Sequence, residues 1–372
     1  MNSFREGQIQ EAGAQQPYLR NVWYATAWSK DLTDAPLLKI ILEEEIVLYR
    51  KKDGSPVALG NRCPHRFAQL HGGKIIGDNL QCPYHGLQFG PSGNCAHNPH
   101  SEHRPAAAHV KSYPIAERHS LIWLWMGESE RALPDLIPDF SVLEDPGHSV
   151  VRGTLDLAAD YQLYNDNLLD LSHSEFVHPA LLEEGNLDRS VTKVEVKGAT
   201  VHFIRDSEKE PATGTFQRLI CEGMGGKAGD IVHTRHHIRW DAPSNLYAEI
   251  TQFWQDKKSV FTNVHVATPT RRGACQLLWS AARTFRIDDA KLDEFVFVGM
   301  SRVLGKEDAP PMESQQTYIG NRDLLSLKPI LLPTDVAPVK ARRILARLIE
   351  EEGARPGSST PRSTVLSEHS TQ

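Results

Sequence analysis

A chain of 372 residues, 40% hydrophobic and 24% charged, is long enough to bury a large core and fits two soluble globular domains. Its net charge of −6 argues against a nucleic-acid partner, and no segment approaches the ~20 consecutive apolar residues of a membrane-spanning helix. Its five cysteines form no disulfide framework, which points to a reducing, cytoplasmic setting.

Residues 1–17 are polar, with no apolar run of the signal-peptide kind, and are expected to form a flexible tail. From Tyr18 to Phe140 the pattern is strand-like. Ile40-Ile41-Leu42 and Ile46-Val47-Leu48 are short apolar runs, and Asp53-Gly54 marks a turn. Leu121–Met126 is apolar throughout, as in a strand buried on both faces. Residues 18–140 are therefore expected to form an antiparallel β domain.

Inside it lie two fingers, Cys63-Pro-His65 and Cys82-Pro-Tyr-His85, each offering one thiolate and one imidazole. Zinc sites of the Cys2His2 type use the same ligands but usually pair like with like. One cysteine and one histidine per finger suit instead a Rieske [2Fe–2S] cluster, in which two histidines replace two cysteines on one iron. Gly72, Gly73, Gly77, Gly86, Gly90 and Gly93 are expected to allow close backbone approach to the inorganic sulfides.

Residues 141–353 are expected to form a second, catalytic domain. A helical stretch runs from Leu157 to Leu182, and strands are expected at Val194–Ile204, Val232–Trp240, Leu246–Trp254 and Ser259–Thr268. Helices follow at Asp288–Val303 and Val336–Glu352, and the Ser-, Thr- and Pro-rich tail 354–372 reads as flexible. A large sheet flanked by helices gives an α+β architecture.

The first helical stretch carries Asn167, Asp170, His173 and His178. Two histidines and a distant carboxylate make a facial triad for mononuclear Fe(II). On a regular helix His173 and His178 stand about 140° apart, so they converge only if the helix is widened or broken, and a π-bulge is the usual device. Asp170 lies one turn before His173. The third ligand remains open among Asp288, Asp289, Asp293, Glu294, Glu307, Asp308 and Glu313. An electron carrier needs no such open iron, so a bare Rieske ferredoxin fits poorly.

The chain resembles the oxygenase component of Rieske non-haem iron oxygenases, in the branch of vanillate O-demethylase and dicamba monooxygenase. The resemblance rests on the two fingers and the Asn167–His178 segment. Softer support comes from Leu19-Arg-Asn-Val-Trp-Tyr24, Ile122-Trp-Leu-Trp-Met-Gly127 and Leu331-Leu-Pro-Thr-Asp335. It implies a helix-grip-like catalytic domain and a head-to-tail homotrimer. Cys63, His65, Cys82 and His85 would hold the cluster, and His173, His178 and Asp308 (adjacent to Glu307) the iron. Asp170 would link His85 of one subunit to His173 of the next and orient that imidazole, with Asn167 beside the iron. Relatives often carry glycine where Ser172 stands.

The implied activity is oxygenation or O-/N-demethylation of a methoxylated or carboxylated aromatic with dioxygen. A cis-diol-forming dioxygenase is the alternative. No dinucleotide-binding glycine motif is present, so a separate NAD(P)H-dependent reductase, with or without a ferredoxin, would supply electrons. For the substrate pocket the candidates are His265 and one alternating face of strand 233–239, His233 and His237 with Arg235; Trp254 and Trp279 read as core.

Overall fold

The computed structural model describes residues 18–178 and 190–354. The expected tails, apart from Ala354, and the end of the helical stretch at residues 179–182 lie outside the described residues.

The N-terminal part is three small antiparallel sheets. Strands β1 (Trp23–Trp28), β2 (Leu37–Ile41), β3 (Glu44–Arg50) and β4 (Pro56–Gly60) are followed by four short ones, β5 (Lys74–Ile76), β6 (Asn79–Gln81), β7 (Gln88–Phe89) and β8 (Cys95–His97), and then by β9 (Ile115–Arg118) and β10 (Leu121–Trp125). They pair as β1-β10-β9, β2-β3-β4 and β5-β6-β7-β8. All five residues of β10 are buried. Its odd positions join Trp23 and Trp28 and meet Val264 and Val266 of the second sheet, so this strand glues the two parts together. Two tryptophans are also anchored: Trp28 Nε1 donates to Gly153 O at 3.1 Å and Trp23 Nε1 to Leu133 O at 2.9 Å.

The C-terminal part is one seven-stranded antiparallel sheet with helices against it, the α+β, helix-grip-like arrangement expected from the sequence. Its strands are β11 (Ser149–Leu157), β12 (Ser190–Lys197), β13 (Thr200–Pro211), β14 (Ile231–Asp241), β15 (Asn245–Trp254), β16 (Lys257–Arg271) and β17 (Ala274–Arg283), in spatial order β11-β17-β16-β15-β14-β13-β12. The expected single strand 194–204 is a hairpin. Gly198, at φ +64°, turns the chain between β12 and β13 where a side chain would be strained. Gly153 permits a second close approach, since a Cβ there would lie 2.2 Å from the Trp279 ring.

The helices are α1 (Tyr161–Leu169), α2 (Ser174–Val177), α3 (Thr215–Gly223), α4 (Ala290–Arg302), α5 (Ala309–Ile319) and α6 (Val336–Gly353). The expected continuous stretch from 157 is thus broken. Leu157 ends a strand, Asp160 caps α1 by accepting from Gln162 N, and the helix stops at Leu169. Helix α6 buries Ala337, Ala341, Ile344, Leu345 and Ile349, one helical face. It grips α1 through Arg342, whose guanidinium makes hydrogen bonds of 2.7–2.9 Å to the Asp166 carboxylate.

Candidate active site

The two fingers are built alike. Cys63 N donates to Ala68 O and Cys82 N to Leu87 O; in return Phe67 N donates to Cys63 O and Gly86 N to Cys82 O. The closing residue of each loop is left-handed, Phe67 at φ +59° and Gly86 at φ +76°. For Phe67 this is an uncommon, strained conformation, of the sort functional loops hold. The result places both cysteines inside, at 1% and 3% exposure, while the imidazoles of His65 and His85 stand at the surface with ring centroids 4.6 Å apart. Burial, reinforced by the neighbouring Cys82 sulfur, pushes the Cys63 thiol up to about 11, so Cys63 ionises readily only against a metal. Buried sulfurs and outward imidazoles fit a [2Fe–2S] cluster with mixed ligation.

The glycines near the fingers do other work than the sequence suggested. A Cβ on Gly73 would lie 1.9 Å from Gln81 O and one on Gly93 1.8 Å from Val110 O. Close packing of backbone on backbone, rather than approach to sulfide, is what those positions require.

In the second part, Asp170 is extended (φ −123°, ψ 99°), Leu171–His173 form a 3-10 turn, and α2 follows directly. His178 then leaves the helix at φ −121°, ψ 59°. The two imidazoles converge, with centroids 5.4 Å apart, through this break and exit rather than through the expected π-bulge. A π turn does occur, at Val303–Asp308 between α4 and α5, where it delivers the carboxylate. Pro310 and Pro311 lack the N–H groups that Lys306 and Glu307 carbonyls would receive in a regular helix, so the widened turn has a local cause.

Among the described residues, His173, His178 and Asp308 form the only cluster of three such side chains with ligand atoms all within 4.8 Å of one another. Asp308 Oδ1 lies 3.0 Å from His178 Nε2 and 3.5 Å from His173 Nε2. The far nitrogens are held: His173 Nδ1 donates to Asp170 O at 2.6 Å and His178 Nδ1 to the Glu307 carboxylate at 2.8 Å. Both Nε2 atoms therefore face Asp308 Oδ1 on the inner side of the cluster. Burial opposes ionisation of Asp308, but its hydrogen bonds to His173 and His178 prevail and hold the carboxyl down to about 2. Burial likewise disfavours charge on His178, and Asp308 and Glu307 outweigh it, raising that pKa. Two histidines and one carboxylate, with both Nε2 atoms turned toward the carboxylate, fit a facial triad for iron.

One expectation is corrected here. Asp170 orients His173 through its backbone carbonyl; its carboxylate accepts from Ser172 N at 2.8 Å instead. Glu307 is not in the three-residue cluster but behind His178, and its other oxygen receives Arg302 Nε at 2.8 Å. Asn167 Nδ2 donates to Asp308 Oδ1 at 3.2 Å.

Residues 22–114 match the Rieske [2Fe-2S] domain, and residues 157–351 match the vanillate O-demethylase oxygenase C-terminal domain. The oxygenase component of dicamba O-demethylase from Stenotrophomonas maltophilia is 34% identical over 342 residues, 91% of this chain and 99% of that protein. The chain belongs to the Rieske non-haem iron oxygenases. The oxygenase component of chloroacetanilide N-alkylformylase from Rhizorhabdus wittichii is also 34% identical, over 90% of this chain and 97% of the relative. The crystal structure of dicamba monooxygenase bound to 3,6-dichlorosalicylic acid superposes with a TM-score of 0.83 at 32% identity, covering 92% of this chain and 100% of that one. As a Rieske oxygenase component, the protein is an oxidoreductase that incorporates molecular oxygen, with a [2Fe–2S] cluster and a mononuclear iron as cofactors.

In this oxygenase His173, His178 and Asp308 form one end of a cavity of about 170 Å³. Its walls come from α1, α3, α4 and the concave face of β13–β16, and they are largely aliphatic and aromatic. His265 lines it, as expected. It is fully buried, pairs with the Tyr164 hydroxyl at 2.6 Å, and burial drives its pKa down to about 4, so it is neutral at physiological pH. His233 and His237 do not reach the cavity. His233 binds Asp206 at 3.0 Å and His237 binds His202 at 3.0 Å, both on the outer face. The alternate residues His236 and Ile238 face inward instead. Trp279 is core, stacked on Phe297. Sequence reasoning missed Arg205, Gln217, His236 and Asn263 as cavity residues; the signal was a polar side chain at the inward phase of an alternating strand or helix.

Proposed function

We propose that this chain is the oxygenase component of a monooxygenase that removes a methyl group from a methoxylated or N-methylated aromatic ring. The observation that carries the reading is the apolar cavity that shares His173, His178 and Asp308 with the iron cluster. A cavity of about 150 Å³ holds a benzene ring, so this space fits one substituted ring with its side group against the metal end. The activity named for one of the relatives, dicamba O-demethylation, agrees with it.

Cys63, Cys82, His65 and His85 would hold the cluster, while His173, His178 and Asp308 would hold the mononuclear iron. When bound, the cluster would relay electrons one at a time and the mononuclear iron would activate dioxygen with them. The chain's own residues do the rest. Asp170 O and Glu307 fix the imidazole tautomers, Asn167 holds Asp308, and the apolar walls exclude water and orient the ring. The net change is ArOCH3 + O2 + 2e⁻ + 2H⁺ → ArOH + HCHO + H2O, the hydroxylated methyl leaving as formaldehyde.

Electrons come from a separate NAD(P)H-dependent reductase, directly or through a ferredoxin. We further infer a homotrimer in which His85 of one subunit meets the Asp170 carboxylate of its neighbour. Exposed Phe67 and Tyr84 at the fingers, and Phe176 (80% exposed) beside His173, support it as apolar surface suited to subunit contact.

The test is product analysis with a generic reductase, NADH and dioxygen over methoxylated and N-methylated aromatics. Formaldehyde with a phenol or amine is expected, and His173→Ala abolishes it while leaving the Rieske absorption intact. A cis-diol without formaldehyde would overturn demethylation in favour of ring dihydroxylation.

A further inference from the structure

Strand β13 alternates, and its inward set is Val201, Phe203, Arg205 and Ser207. Arg205 is therefore a cation on the concave, cavity-lining face, 1% exposed. Its Nε and Nη1 have no hydrogen-bond partner among the described residues. A buried guanidinium without hydrogen bonds is costly and needs a partner, and it stays protonated in proteins. Glu210 and Glu175 act on it through space.

Directly opposite Arg205 on β14 is His236, and the neighbouring row carries Asn263 on β16. Both line the same cavity, at 9% and 8% exposure, and His236 Nδ1 and Asn263 Oδ1 also lack partners. Gln217 of α3 gives its Nε2 to Glu210 at 2.8 Å and leaves Oε1 unpaired. Native interiors contain few such groups, and a cluster of them around one apolar space implies an absent ligand that satisfies them. The donors dominate: Arg205 offers N–H groups alone, while His236 and Asn263 can each turn a donor toward the same point.

We propose that Arg205, flanked by His236 and Asn263, is the specificity determinant of this cavity and binds an oxyanion on the aromatic substrate, a carboxylate or a sulfonate. The fork of the guanidinium matches such a group with two parallel hydrogen bonds. The basic run on the outer face offers no rival anchor, because His233 and Arg235 are already bound to Asp206 and His237 to His202. Since the cavity is about one ring in size, an anion held at Arg205 fixes which substituent meets the iron end. This inference takes the cavity as the substrate site and so rests on the function proposed above.

The test is calorimetric binding, without turnover, to the full-length chain loaded with both metals. The probes are 3-methoxybenzoate, 3-methoxybenzenesulfonate and the neutral, similarly shaped 3-methoxybenzamide. At least one anion is expected to bind about 10- to 100-fold more tightly than the amide, the size of a charge-assisted bond pair. Arg205→Met is expected to bring acid and amide within about twofold, with Arg205→Lys between. Because Arg205 Nε and Nη1 make no hydrogen bond, Arg205→Met is also expected to keep its affinity for the amide and a thermal midpoint at or above wild type. Equal wild-type affinity for anions and amide, or a preference that survives in Arg205→Met, overturns the proposal. So does a variant that loses the amide and several degrees of midpoint, which would make Arg205 a fold element. Anion binding through Arg205 with cis-diol product removes only the demethylation reading. Demethylation with no anion preference removes only this inference.

Discussion

Replacing Glu307 by alanine removes the acceptor that holds His178 Nδ1–H at 2.8 Å. The imidazole then loses the bond that fixes its tautomer and raises its basicity at Nε2. Loss of such a partner typically costs about 10- to 100-fold in metal affinity, or about 1.4–2.8 kcal/mol. The carboxylate is itself steadied by Arg302 at 2.8 Å, but the Arg302 side chain is 68% exposed. A pair that open to solvent contributes about 1 kcal/mol at most, so Arg302→Ala is expected to weaken iron binding less than about fivefold. Glu307→Gln keeps an amide oxygen for His178 and is expected to recover most of the loss. The assay is competition for Fe(II) against a chromogenic chelator, with the Rieske absorption as an internal measure of intact protein. Wild-type iron affinity in Glu307→Ala, with the Rieske band unchanged, would show that His178 is oriented by something else.

Two other perturbations probe the coupling of the metal centres and the buried cavity wall. Asp170→Asn retains an oxygen for Ser172 N and leaves the carbonyl that binds His173 untouched. Both metal sites are expected to load, while single-turnover electron transfer from cluster to iron slows; equal rates in wild type and variant would sink the intersubunit bridge. His265 has its pKa lowered from 6.5 to about 4 by burial. An unfolded histidine takes up a proton below about 6.5 while the folded one stays neutral, so stability falls as pH drops from 6.5 towards 4. At pH 5 this amounts to about 2 kcal/mol. The stability gap between wild type and His265→Gln is expected to narrow by that amount from pH 7 to pH 5, read from urea midpoints; a constant gap would refute the buried neutral state.

Much of the site was legible because its signals are local. The fingers carry all four cluster donors within a few residues, and His173 and His178 sit in one short segment. What resisted was whatever depends on phase or on a break in regularity. Strand β14 offers two alternating sets, His233, Arg235 and His237 or Thr234, His236 and Ile238, and both carry histidine. Only the curvature of the sheet over α3 and α4 decides which set faces the cavity. The β12–β13 hairpin was read through at Gly198, although glycine inside a strand pattern is a turn signal. Strand β11 lies at the sheet edge, where half-buried Arg152 and exposed Asp156 blur the alternation.

The same irregularities that defeat periodicity build the metal site. On a regular helix His173 and His178 would diverge, and a regular α4–α5 would rotate Asp308 relative to Glu307. The chain solves both with backbone breaks: the extended Asp170, the exit at His178, and the π turn enforced by Pro310 and Pro311. Such breaks leave backbone groups unpaired, and here the unpaired groups are put to use, the Asp170 carbonyl receiving His173 Nδ1. The breaks hold their shape because the flanking helices are pinned, α1 by Arg342–Asp166 and by Asn165 to Pro243 O and Ser244 Oγ. Removing a pin should therefore disturb the iron before it disturbs the fold, since the interior packing of Tyr161 and Leu163 remains. Arg342→Met, which keeps the volume of the stem, is the variant that separates the two: iron affinity falls while the Rieske absorption holds.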